Sequence, residues 1–112
     1  MEAYVHTGGR IGALVEVNCE SDFVARTDDF KSLAHNIAMQ VAATDPRYIY
    51  VEDMPPEGDR DNGLDPREVC LLSQPFIKDP QKTIQDVITE TVARVGENIK
   101  VRRFARFELG KD

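Results

Sequence analysis

Tryptophan is absent from this 112-residue chain, and five phenylalanines and three tyrosines are its only large aromatics. A core must therefore come mainly from Val, Ile, Leu and Ala. Cysteine is nearly absent too. Cys19 and Cys70 lie far apart, with no CxxC and no histidine at ligand spacing. That excludes a disulfide framework and a zinc-ribbon pattern, and it favours a reducing compartment. Positive charge is in deficit, with 14 Lys and Arg against 20 Asp and Glu. A net charge of −6 argues against nucleic acid as the main ligand, because phosphate neutralisation needs a surplus of Lys and Arg. No apolar run approaches the ~20 residues of a membrane span, and no charged-then-apolar leader opens the chain. The expected setting is soluble, in a bacterial cytoplasm or an organelle matrix or stroma, with no membrane partner. GxSxG, HExxH, P-loop and GxGxxG patterns are all missing. No catalytic residue, cofactor or metal site is expected, and the chain does not read as an enzyme.

What is present suits one globular domain over residues 1–112, at 41% hydrophobic and 30% charged. Alternation around Ala3 and Val5, a Gly8-Gly9 turn and a second alternating run from Ile11 to Glu20 predict a β-hairpin. In that run Ala13, Val15, Val17 and Cys19 share one face, and Leu14 is the one large apolar residue on the other. Phe30, Leu33, Ala34, Ile37, Ala38 and Val41 form a stripe at helical period behind a Thr27 cap. Residues 52–68 are rich in Pro, Gly and Asp and predict a loop insertion, with a brief helical turn starting at Asp65-Pro66. A second helix is expected to be capped by Asp79, with Pro80 in its first turn and Gly96 at its end. Its stripe is Ile84, Val87, Ile88, Thr91, Val92 and Val95. A last strand runs from Ile99 to Leu109, where simple alternation turns Phe104 away from Val101, Ala105 and Phe107. The order predicts an α+β fold: a three-stranded antiparallel sheet with the helices packed on one face.

Chemistry-bearing residues are sparse. His35 beside the helix stripe reads as a surface or half-buried histidine, and Glu16 with Glu20 as a charged sheet face rather than an acid–base pair. Cys19 reads as a small apolar core residue. Two features suit binding. Leu14 and Phe104, with Arg102 and Arg106 around them, form either scattered surface residues, a protein-binding patch, or a site for RNA stacked on a Phe among basic neighbours. Asp22 and Phe23 sit in a connector between strand and helix. On pattern alone, Phe23 either extends the stripe of Phe30 into the core or projects outward.

NCESDFVAR (18–26), after the strand GGRIGALVEV (8–17), resembles the NCETDFVA signature of translation elongation factor Ts. QPFIKD (74–79) and VGENIKVRRFARFEL (95–109) resemble that family's C-terminal stretch. The similarity covers roughly residues 4–51 and 69–110, in two long motifs in the same order. It implies the family's core fold, three antiparallel strands with packed helices, without the small N-terminal ubiquitin-associated-like domain. It implies a guanine-nucleotide exchange factor for elongation factor Tu, acting through protein–protein contact during translation elongation. Asp22 and Phe23 then fall where the family's Asp-Phe pair meets the partner, with Ser21 in place of the usual Thr and Val24 completing the stretch. On this resemblance Phe23 is expected to face a partner. Some members associate through this core, and one disulfide-linked form carries Cys where this chain has Ala105. A homodimer here would be non-covalent, with Leu14, Arg102, Phe104 and Arg106 as its candidate surface. The alternatives are a module that only binds or dimerises, and an RNA-associated translation protein using the basic last strand.

Overall fold

Gly8 and Gly9 reverse the chain with φ of 98° and 70°, a region open to glycine at little steric cost. The His6 N–H donates to the Ile11 carbonyl at 2.9 Å and closes the hairpin. Its strands, β1 (Glu2–Val5) and β2 (Ile11–Asn18), pair antiparallel, and β2 pairs on its other side with β5 (Lys100–Glu108). The result is a three-stranded antiparallel sheet in the order β1-β2-β5. The structure is a computed structural model that describes residues 1–55 and 64–110. Residues 56–63, the middle of the expected 52–68 insertion, lie outside the described residues.

Helix α1 (Asp22–Ala25) is a single turn, and α2 (Asp28–Thr44) follows behind its Thr27 cap. Phe30, Leu33, Ala34, Ile37, Ala38 and Val41 all bury, as their spacing predicts, and they pack with Ala13, Val15 and Val17 of β2. α2 covers one face of the sheet. It ends at Asp45, which holds a left-handed φ of 49° ahead of Pro46. Beyond the described break come α3 (Pro66–Val69), a 3₁₀ turn (Leu71–Ser73), and a small hairpin of β3 (Pro75–Phe76) with β4 (Asp79–Thr83). Helix α4 (Ile84–Val95) then packs mainly on α2, β4 and that 3₁₀ turn.

The start of α4 differs from expectation. Asp79 and Pro80 lie in strand β4, and the cap is Thr83. Thr83 Oγ1 accepts from the Asp86 N–H at 3.1 Å while Asp86 Oδ2 accepts from the Thr83 N–H at 2.9 Å. That reciprocal pair satisfies two orphan donors, and Asp79 offers nothing comparable. Pro80 is tolerated because a two-stranded ribbon leaves an outer edge that needs no N–H donor.

The last strand differs more consequentially. Glu16 pairs with Arg103 but Val17 pairs with Val101, so Arg102 is an extra residue, a β-bulge. The bulge shifts the alternation by one. Val101, Phe104 and Arg106 turn toward the helices, and Phe107 turns to the open face, 69% exposed. Phe104 is therefore half-buried against the core, not an outer-face residue. Arg102 and Arg103 end up side by side around Glu16, at 3.6 and 2.8 Å. The amide of Asn18, at 2.9 Å, and then Arg103 hold the Glu16 carboxyl below the ordinary glutamate range.

One buried polar network was not visible in the pattern. Gln40 on α2 is fully buried; its Nε2 donates to Gln74 Oε1 and to the Pro75 carbonyl, and its Oε1 accepts from the Ile77 N–H. Gln74 in turn donates to the Glu68 carbonyl and accepts from Thr44. This ties the segment before α4 to the centre of α2. Gln40→Leu should lower unfolding free energy by about 2 kcal/mol, the cost of stranding such partners; urea titration checks it. Glu16 has a depressed folded pKa, so its contribution is present above the ordinary glutamate pKa and is lost as pH falls through the folded value. Glu16→Gln should therefore be less stable than the parent at neutral pH, with the gap closing in acid; urea midpoints across pH read it out.

Candidate partner-binding site

The connector after β2 builds its own cap. Ser21 is extended (φ −134°, ψ 155°), and its Oγ accepts from the Val24 N–H at 3.3 Å, which starts α1. Thr27 closes the other end: its Oγ1 donates to the Val24 carbonyl at 2.7 Å and accepts from the Phe30 N–H at 3.2 Å. Hydroxyl caps at Ser21 and Thr27, only six positions apart in the chain, leave α1 room for one turn only.

Within that turn the side chains separate sharply. Val24 is buried in the core cluster and Ala25 is packed against it. Asp22 and Phe23 point away, and the Phe23 ring is 79% exposed. The pattern left two readings of Phe23 open, and the geometry selects the outward one. A helix running from Asp22 into α2 would have put Phe23 on the Phe30 stripe. The break at Arg26 and Thr27 prevents that. Val24, which the resemblance put in the same partner-facing stretch, anchors the turn from inside and is only 5% exposed.

The turn is held from a second direction. Gly96 ends α4 with φ 76°, and the next two residues meet the connector. Glu97 Oε1 accepts from the N–H groups of Glu20 and Ser21 at 3.2 and 3.0 Å, and Oε2 accepts from Ser21 Oγ at 2.7 Å. Glu20 reciprocates, its Oε2 accepting from the Asn98 N–H at 2.8 Å. Cys19 Sγ lies 3.2 Å from the Ser21 carbonyl, and Cys19 is only partly buried. Sequence reasoning missed Glu97 and Asn98, because Gly-Glu-Asn reads only as a helix terminator. The one available signal was a carboxylate placed just before the strand that pairs with β2.

The other sequence candidates do not gather into one patch. Leu14 stays on the open face, 41% exposed, opposite Ala105 and next to the Val5–Gly12–Phe107 row. Arg102 sits beside it only through Glu16. Phe104 and Arg106 have turned to the helix side. Arg106 donates to the Ala42 carbonyl at 3.0 Å and pairs with Glu108 and Asp45, its side chain 12% exposed. A cation there also suits the negative end of the α2 dipole. The basic strand thus offers no exposed phenylalanine flanked by free arginines of the kind a stacked base needs. Glu16 and Glu20 are engaged in separate contacts, and His35 rests on Glu2 and the Tyr4 ring. Among the described residues no group of three His, Cys, Asp or Glu side chains is arranged to hold a metal, and no helix is long and apolar enough to cross a membrane.

Comparison with known proteins identifies the family. A family model described as Elongation factor TS matches residues 1–60 and 65–111. The chain is 49% identical to Elongation factor Ts of Carboxydothermus hydrogenoformans, with 99% of the chain and 63% of that protein covered. It is 50% identical to the Heliobacterium modesticaldum protein of the same name, covering 99% and 64%. Against that of a Thermoanaerobacter species identity is 46%, with 67% of the relative covered. The chain spans a little under two thirds of the length of the first two relatives. With a family match over nearly all its residues and about half of them identical to relatives of that name, the chain belongs to the elongation factor Ts family.

Proposed function

We propose that this chain is a guanine-nucleotide exchange module of translation elongation that binds elongation factor Tu in its GDP form and promotes GDP release. The observation that carries the reading is a bare phenylalanine on a capped, doubly tethered turn. Leaving a large ring in water has no benefit to the fold. A rigid aromatic anchor beside a carboxylate is instead what concentrates binding energy at a protein interface. Asp22 and Phe23 are the contact residues, Ser21 caps the turn, and Val24 holds it from within.

Exchange of this kind needs no covalent step, no cofactor and no metal of the module's own. It is linkage: a factor that binds the nucleotide-free partner more tightly than the GDP-bound one weakens GDP by the same ratio. The ring supplies the differential contact by entering an apolar pocket of the partner that is open only when the nucleotide site is disturbed. A module that binds equally to both forms would shift nothing.

The open sheet face supports a second role alongside the first. Val5, Leu14 and Phe107 are exposed on it: Val5 and Phe107 flank Gly12 across the three strands, Leu14 lies in the neighbouring cross-strand row, and no described element covers them. A second copy of this chain, face to face, would bury that patch. With Ala105 beside Leu14, such a dimer is non-covalent.

Two measurements follow. In stopped-flow release of a fluorescent GDP from elongation factor Tu, Phe23→Ala should slow the accelerated rate about 30-fold, the scale of losing one anchor residue. Equal acceleration by both proteins would remove Phe23 from the site, and no acceleration by either would reduce the chain to a binder. For the sheet face, sedimentation should show a concentration-dependent dimer that Phe107→Lys converts to monomer. A parent chain that is monomeric throughout rules the dimer out.

A further inference from the structure

We infer that Glu97 is a positioning residue for exchange: its carboxylate sets the polarity of the Ser21 cap and so fixes the direction in which Phe23 is presented. The inference rests on the reading above that Phe23 acts on the partner. It comes from the donor and acceptor inventory of one hydroxyl. Ser21 Oγ has a single hydrogen and two lone pairs. Its partners are Glu97 Oε2 at 2.7 Å and the Val24 N–H at 3.3 Å. A carboxylate can only accept and a backbone N–H can only donate, so the hydrogen must point at Glu97 and a lone pair at Val24. Glu97 also accepts from the Glu20 and Ser21 N–H groups. One side chain thus takes three donors from the two residues that precede Asp22, from a loop 76 positions away in sequence.

The consequence separates this site from an ordinary helix cap. Ser, Asp and Asn are nearly equal as N-caps in general. Here an Asp at position 21 would set one carboxylate against another and leave Glu97 Oε2 without its hydroxyl donor. Position 21 therefore needs a group that donates as well as accepts. The Phe23 ring is 79% exposed and takes no part in the tethering hydrogen bonds, so Glu97 acts on the partner only through the turn. Holding that turn in place before association removes an ordering cost from binding.

The test combines GDP release with amide hydrogen exchange on the free 112-residue chain. Glu97→Ala should slow GDP release ~10-fold, the scale of a lost preorganised contact, and should speed amide exchange at Ser21 and Val24 while α2 amides keep their protection. The double variant Phe23→Ala with Glu97→Ala should be no slower than Phe23→Ala alone, because a residue acting through the ring adds nothing once the ring is gone. Ser21→Thr should retain activity and Ser21→Asp should lose it. Glu97→Gln should restore Ser21→Asp, since the amide can donate to the new carboxylate while its oxygen keeps the backbone donors. Parent-like release by Glu97→Ala, additive losses in the Phe23 double variant, or full activity of Ser21→Asp each overturns the positioning role and leaves the exchange reading standing. A parent chain that accelerates nothing, or a Phe23→Ala variant as fast as the parent, overturns the exchange reading and this inference with it.

Discussion

The antiparallel pairing of β2 with β5 is the interaction on which the rest of the molecule depends. It sets the end of β2 at Asn18 opposite the start of β5 at Lys100. The connector that follows one strand and the loop that precedes the other are thereby forced side by side. Glu97 and Asn98 can reach Glu20 and Ser21 only because that register holds. The same pairing carries the bulge at Arg102, which decides which side chains of β5 join the core and which stay on the open face. Site and surface are both products of one register.

The bulge resolves a conflict in the strand. Continuous alternation from Val101 would have buried Arg103 together with Ala105 and Phe107 beneath α2. Burying an unpaired guanidinium is far costlier than exposing one phenyl ring. One extra residue puts Arg103 in water beside Glu16, and it brings Phe104 to the core. Arg106 also turns inward, but it arrives where the Ala42 carbonyl near the end of α2, Asp45 and Glu108 can receive it. The exposed Phe107 is the residue left over from this solution, and the apolar patch it forms with Leu14 and Val5 is a consequence of it.

Rigidity around Phe23 follows from the same economy of contacts. A one-turn helix has almost no intrinsic stability. Here it is held by hydroxyl caps at both ends, by Val24 in the core, and by a carboxylate from across the sheet. None of these contacts needs the phenyl ring. That division, with all the holding done by neighbours and the ring left free, suits a residue whose proposed work is done on another protein.

Composition and periodicity by themselves determined the α+β class, the hairpin, the stripes of α2 and α4, and the caps at Thr27 and Gly96. These are legible because local chemistry decides them: a turn needs glycine, a helix face repeats at its own period, and a hydroxyl satisfies the first free N–H groups. The signature stretch around Asp22 and Phe23 was legible as a resemblance, but its pattern could not say whether the ring turned in or out. Only the tertiary structure decided that, along with the bulge at Arg102, the buried Gln40 network and the hydrogen bonds from Glu97 to the connector. Each depends on partners that are remote in sequence, and a one-residue change of register reverses every side chain beyond it. No local pattern carries that information, because the choice is made by what lies across the sheet.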